Sequence, residues 1–325
     1  MESGRLKRSV VLAVLAIAAV LVIVALNGHA THIMSLARLG FADLWPARNY
    51  DQEKPCPEEL FLRYKNLYAY EKTPLNAQVE SAEERPGFRR ERISFDAAYG
   101  KDRVIGDLYL PRDRKYPLQT VIHFPGSYAI ESRSLDPEYE RYFNFLVDSG
   151  RAVFFPRYKG TLERRDDLRS DYPDTTASYR DHVIDWARDI GRSIDYLETR
   201  PEIDNSKLAY EGLSWGAAMG AIMTAVDERF KVNVLLLPGF YLQRALPEVD
   251  QINFAPRVRI PTLMLSGRFD LNFSMRASQS PMFRFLGTPM GNKRHIVYWT
   301  GHSLPREKMV KETLDWLNRY LGSTR

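Results

Sequence analysis

Cysteine is nearly missing: the chain of 325 residues has one, Cys56. A single cysteine excludes an intramolecular disulfide and any zinc site built on paired cysteines. In EKPCPEE it lies between prolines, without the small residues that flank a lipidated cysteine, and reads as incidental. Histidine is scarce as well, with six residues, so few side chains are available as a base. Internal repeats and low-complexity tracts are absent. Long runs of one charge are absent too. The formal net charge is +5, but the signs are mixed along the chain and no basic block forms, which argues against nucleic-acid binding.

One long hydrophobic run is present. MESGRLKRS precedes VVLAVLAIAAVLVIVAL, Val10 to Leu26, 17 residues without a polar side chain. As a helix it would reach roughly 25 Å, close to a bilayer's hydrocarbon thickness. The run exceeds the apolar stretch of a cleaved signal peptide, although Gly28-His29-Ala30 offers a weak cleavage site. An uncleaved N-terminal transmembrane helix is the expectation. The basic residues before the run place the amino end in the cytoplasm and the main domain outside it. Residues 1–30 are therefore read as a membrane anchor or signal peptide, and 31–90 as a juxtamembrane and connecting region. Residues 91–325 are read as the main domain.

From residue 91 onward the pattern is that of an α/β domain. ERISFDAAYG and RVIGDLYLP alternate around a turn at Gly100-Lys101-Asp102 and predict an antiparallel pair. Apolar runs then recur at 120–126, 152–158, 208–214, 232–239, 262–267 and 295–299. Continuous runs suit strands covered on both faces, hence a mainly parallel central sheet with helices on both faces. In RDHVIDWARDIGRSIDYLETRP, Val183, Ala187, Ile190, Ile194 and Leu197 share one helical face, while Arg180, Asp185, Asp189 and Arg192 point elsewhere. A last helix aligns Val310, Leu314, Leu317 and Leu321 and stops at Gly322.

In such a sheet, ligands bind beyond the carboxyl ends of the strands. Gly212-Leu213-Ser214-Trp215-Gly216 lies there and matches G-x-S-x-G, a sharp strand-to-helix turn that raises one serine. Small residues at those positions also serve plain helix-on-sheet packing, and the motif alone does not separate the two readings. A serine hydroxyl needs a base, and the base an orienting acid. Asp270 follows the 262–267 run, 56 residues beyond Ser214, and His302 follows the 295–299 run, 32 residues further on. Both sit where a triad above the sheet requires them. Asp250 is a weaker rival for the acid, because it precedes a strand. A tetrahedral intermediate needs backbone N–H donors. Trp215 supplies one, and Ser127 of the loop Pro125-Gly126-Ser127-Tyr128 the other, with Tyr128 as its neighbour. Arg157, Tyr158 and Lys159 leave a strand at the same edge and are candidates for the pocket rim or for a solvated loop.

TVIHFPGSYA, YEGLSWGAAMGA, LMLSGRFD and the late TGHS together resemble the α/β-hydrolase superfamily. The resemblance is nearest to its prolyl-oligopeptidase, acetyl xylan esterase and dienelactone hydrolase-like branch. TPLNAQVES, RRERISFDAAYG, RSIDYLETRPEID and KETLDWLNRYLG are similar to hydrolase domains fused to bacterial serine/threonine kinases, extending the likeness back to about residue 60. No kinase glycine loop, HRD or DFG motif occurs here. The resemblance implies Ser214 as nucleophile, Asp270 as acid and His302 as base, with no metal or cofactor required. It departs at the cysteine nucleophile of dienelactone hydrolases and in the FPGS loop. The expectation is a serine hydrolase of carboxylic esters, acting on a small-molecule ester or acyl substrate on the periplasmic side of a bacterial inner membrane. A serine peptidase and a catalytically silent membrane-attached binding domain are the alternatives.

Overall fold

A computed structural model describes residues 48–324. The transmembrane helix expected within 1–30, and the residues that follow it to 47, lie outside the described residues. Among the described residues no helix is long and apolar enough to cross a membrane.

Among the described residues nine strands form one sheet: β1 Gln78–Arg85, β2 Phe88–Asp96, β3 Arg103–Pro111, β4 Leu118–Phe124, β5 Ala152–Arg157, β6 Ile203–Leu213, β7 Phe230–Leu236, β8 Thr262–Gly267 and β9 Lys293–Tyr298. Their spatial order is β1-β2-β3-β5-β4-β6-β7-β8-β9. The pairs β1–β2, β2–β3 and β3–β5 are antiparallel. All pairs from β5 to β9 are parallel. The six apolar runs correspond to β4 through β9, and the alternating pair to β2 and β3.

Among the described residues, four helices have nine or more residues: α1 Glu58–Asn66, α2 Ala177–Leu197, α3 Trp215–Val226 and α4 Arg306–Leu321. Alternate side chains of the central strands feed two cores. Ile122, Phe124, Phe154, Tyr210 and Leu235 pack with α2 and α3 on one face. Val121, Val153, Phe155, Ala209, Val234 and Leu265 pack with Trp316, Leu317 and Leu321 of α4 on the other. A period of two in the strands thus fills both layers, which is why their sequences read as unbroken apolar runs.

Two sequence expectations are altered. Residues 48–90 belong to the same compact unit as the rest of the described chain, and β2 runs across the expected boundary at 91. In α2, Asp189 and Arg192, expected only to lie off the apolar face, are buried as well. Asp189 accepts hydrogen bonds from Tyr99 Oη at 2.8 Å, Lys159 N at 2.9 Å and Arg164 Nη1 at 2.6 Å. Arg192 donates to the carbonyls of Asp96 and Pro74 at 3.1 and 3.3 Å. The helix is covered by an additional layer, and its polar residues inside that layer are paired, as burial requires.

His295 in β9 provides a pH test of the fold. Its Nε2 lies 2.9 Å from Ser266 Oγ and its ring 5.5 Å from that of Phe283. Burial lowers its pKa from 6.5 to about 4. The folded state favours the neutral ring, so the unfolded chain binds the extra proton as pH falls below about 6.5. Stability is therefore full above that pH and drops toward pH 4, by up to about 3 kcal/mol from this residue. Urea titrations across that window should show a shallower pH slope for His295→Gln than for the parent protein. Equal slopes would contradict the assignment.

Candidate active site

β6 ends at Leu213, and Ser214 turns the chain into α3 with φ 53° and ψ −107°. Positive φ is costly for any residue with a Cβ and persists only where its surroundings impose it. Here Ser214 N donates to Leu236 O at 2.8 Å and Gly216 N to Pro125 O at 3.0 Å, fastening the turn to both neighbouring strand ends. A methyl group on Gly212 would overlap the carbonyl of Gly216, and one on Gly216 the carbonyl of Phe124. Both glycines are thus required by close backbone approach, and the positive φ of Ser214 gives the turn the geometry of a strand-to-helix elbow.

Three residues far apart in the chain meet above this turn. His302 Nε2 lies 2.7 Å from Ser214 Oγ, and His302 Nδ1 lies 2.7 Å from Asp270 Oδ2. Asp270 is 3% exposed. Its other oxygen, Oδ1, accepts from Asn272 N at 2.8 Å and Phe273 N at 3.0 Å. Gln279 fixes the same loop by donating to the carbonyls of Gly267 and Phe273 at 2.9 and 2.6 Å. Phe269 N donates to Thr300 O at 2.9 Å, which joins the Asp270 loop to the His302 loop. Asp250, the rival acid, is elsewhere: it holds Arg48 at 2.9 Å.

The two expected N–H donors are adjacent in the chain to residues at this turn, Trp215 to Ser214 and Ser127 to Gly126. Trp215 opens α3, and its side chain is locked between Phe124 and Trp186, with ring centroids at 4.8 and 4.7 Å. Gly126, one residue before Ser127, places its Cα so that a Cβ would stand 3.7 Å from Ser214 Cβ. Among the described residues, the N–H groups of Ser127 and Trp215 have no backbone acceptor, and Tyr128 N–H has none either. Ser214 N–H is excluded as a donor because Leu236 O already receives it.

Sequence reading missed the support beneath this loop. His123 of β4 and Glu211 of β6 are register partners with 0% and 1% exposure. His123 Nδ1 bonds Glu211 Oε2, and Nε2 lies 3.0 Å from Tyr139 Oη. Burial holds the Tyr139 and Tyr128 phenols above their ordinary pKa, so both stay neutral. The pair ties the strand carrying the PGSY loop to the strand carrying Ser214. Polar residues inside apolar runs at 123 and 211 were the available signal. The proposed rim is corrected in part: Arg157 and Tyr158 are completely buried, Arg157 being paired with Asp107 and Glu163. Only Lys159 remains partly accessible, 3.3 Å from Asp102.

No family model matches the chain, and no curated protein does. Solved structures do. An acetyl xylan esterase from Paenibacillus sp. R4 superposes with a TM-score of 0.65 at 19% identity, over 83% of this chain and 96% of that one. The α/β-hydrolase fold is thereby established. Acetyl xylan esterase 1 from Thermoanaerobacterium sp. JW/SL YS485 gives 0.64 at 17% identity, over 82% of this chain and 96% of the other. A glucuronoyl esterase from Solibacter usitatus gives 0.54 at 14%, over 80% and 92%. Within the α/β-hydrolase fold the elbow after the central strand, and acid and base loops after later ones, are the expected locations of a site.

Proposed function

We propose that this chain is a serine hydrolase of carboxylic esters, with Ser214 as nucleophile, His302 as base and Asp270 as orienting acid. The observation that carries the reading is the unbroken hydrogen-bond path from Ser214 Oγ through both His302 nitrogens to Asp270. His302 Nε2 takes the hydroxyl proton as Oγ attacks the ester carbonyl carbon. The carbonyl oxygen becomes an oxyanion, held by the N–H groups of Trp215 and Ser127. The C–O bond to the leaving group breaks, and His302 returns the proton to the departing alkoxide. Water then attacks the acyl-enzyme with His302 again as base, releasing the acid and restoring Ser214. Asp270 keeps the proton on Nδ1, leaving Nε2 free to accept. Structural neighbours described as esterases support an ester over an amide substrate. A panel of 4-nitrophenyl esters beside aminoacyl 4-nitroanilides, with fluorophosphonate labelling, tests the reading. Amide turnover at ester-like rates would point to a peptidase, and no labelling of the folded protein to a silent domain.

We also propose that the Val10–Leu26 run anchors the domain to a membrane, with the hydrolase outside the cytoplasm. Full-length protein should sediment with membranes and resist carbonate extraction, whereas a fragment starting at residue 31 should remain in the supernatant. Recovery of the full-length chain in the supernatant would refute the anchor.

A further inference from the structure

A surface cleft of about 500 Å³ lies beside the loop segment that follows β5, lined by Arg133, Leu162, Glu163, Arg165, Asp166 and Arg169. Its charge balance is unusual. Arg133 has no hydrogen-bond or ion-pair partner among the described residues, Arg165 donates only to Glu131 O at 3.2 Å, and Arg169 only to Asp166 O at 3.1 Å. Among the described residues none of these three guanidinium groups has a carboxylate partner. The two acids of the cleft already have other partners: Glu163 pairs with Arg92 and Arg157, and Asp166 lies 3.9 Å from Lys159 Nζ and 3.0 Å from His182 Nε2. Three uncompensated arginines in a single concavity, in a chain whose arginines are otherwise widely ion-paired, have the chemistry to receive an oxyanion.

The location specifies which part of a substrate would reach it. Arg133 and the Glu131 carbonyl follow the PGSY loop of β4. Leu162, a buried residue lining the cleft, packs in the same apolar cluster as Ala129, with Tyr128 against that cluster. β5 stands two places from β6 in the sheet, on one side of Ser214, and β8 and β9, which carry Asp270 and His302, stand on the other. Two strand spacings amount to about 10 Å. His302 must reach the departing oxygen to protonate it, so the leaving group occupies its side and the acyl group extends the opposite way, toward the cleft. We propose that the cleft is an acyl-side subsite for a negatively charged terminus. The preferred substrates are then esters whose acyl group ends in a carboxylate or a similar compact oxyanion. The assignment to the acyl side rests on the ester-hydrolase reading; the anion site itself does not.

Two measurements test this, one with turnover and one without. The first compares kcat/KM for mono-4-nitrophenyl hemiesters, from succinic to suberic acid, with neutral 4-nitrophenyl esters of equal length. The cleft is open, and ion pairs in such places act at the weak end, about threefold per arginine. A preference for a hemiester of about thirtyfold is expected at low salt, diminishing as salt rises. Arg133→Gln and Arg169→Gln should each cut the preference about threefold, with Arg133→Lys falling less. The second measures binding of free suberate to the full chain by calorimetry, with the same variants. Equal turnover of hemiesters and neutral esters, or a preference that survives replacement of all three arginines, overturns the acyl-side subsite. Absence of arginine-dependent suberate binding overturns the anion site. If neither ester class is hydrolysed, the ester reading fails while suberate binding still decides the cleft.

Discussion

Replacing Ser214 with alanine is expected to reduce ester turnover by about a millionfold, to a residue left by transition-state binding alone. The magnitude follows from the geometry. On the proposed mechanism the Ser214 oxygen forms the new bond, and His302 Nε2 at 2.7 Å is placed to accept its proton. Removing Oγ removes both the covalent route and the first proton transfer. The substitution should leave the fold intact or slightly relieved, because alanine carries the same Cβ through the strained turn at φ 53° without a hydroxyl to place. Thermal unfolding measured alongside turnover and fluorophosphonate labelling separates the two effects. Retained turnover in a folded Ser214→Ala protein would rule out the nucleophile.

Asp270→Asn is expected to lower kcat about ten-thousandfold with little loss of stability. Two backbone N–H groups, from Asn272 and Phe273, point at Oδ1 and dictate that an oxygen stays there. An asparagine obeying them must turn its NH2 group toward His302 Nδ1. That nitrogen then has to accept, and the ring proton shifts to Nε2, where it faces Ser214 Oγ and blocks proton uptake. Because the buried position remains hydrogen-bonded, the defect is one of tautomer and not of folding. Raising the pH should recover little activity. A loss below tenfold would mean that Asp270 does not control the ring.

Much of this site was legible in the sequence because each of its members follows a mainly apolar strand run. Ser214, Asp270 and His302 could be placed by that rule without knowing distances. β1 could not be read: QVESAEER is exposed along nearly its whole length at the sheet edge, so no apolar period marks it. The polar residues that burial hides were equally silent. Arg157 and Arg165 stand eight positions apart in one charged segment, yet one is walled in by Asp107 and Glu163 and the other faces an open cleft. Which guanidinium finds a carboxylate depends on β3, β5 and the segment after β5 arriving together, information carried by the fold and not by local composition. His123 and Glu211 make the same point, since their meeting depends on the register of β4 against β6.

Arg48 gives the first described residue a disproportionate role. Its guanidinium reaches Asp250 and Glu53, and the Asp250 side chain is otherwise shut away from water. A shortened gene that begins just past this position would strand a carboxylate without its counterion beneath the 247–257 segment. Severing one member of such an enclosed pair costs about 3–5 kcal/mol. Anyone trimming the chain to make it easier to handle should therefore cut upstream of Arg48, even though the sheet itself does not start until Gln78.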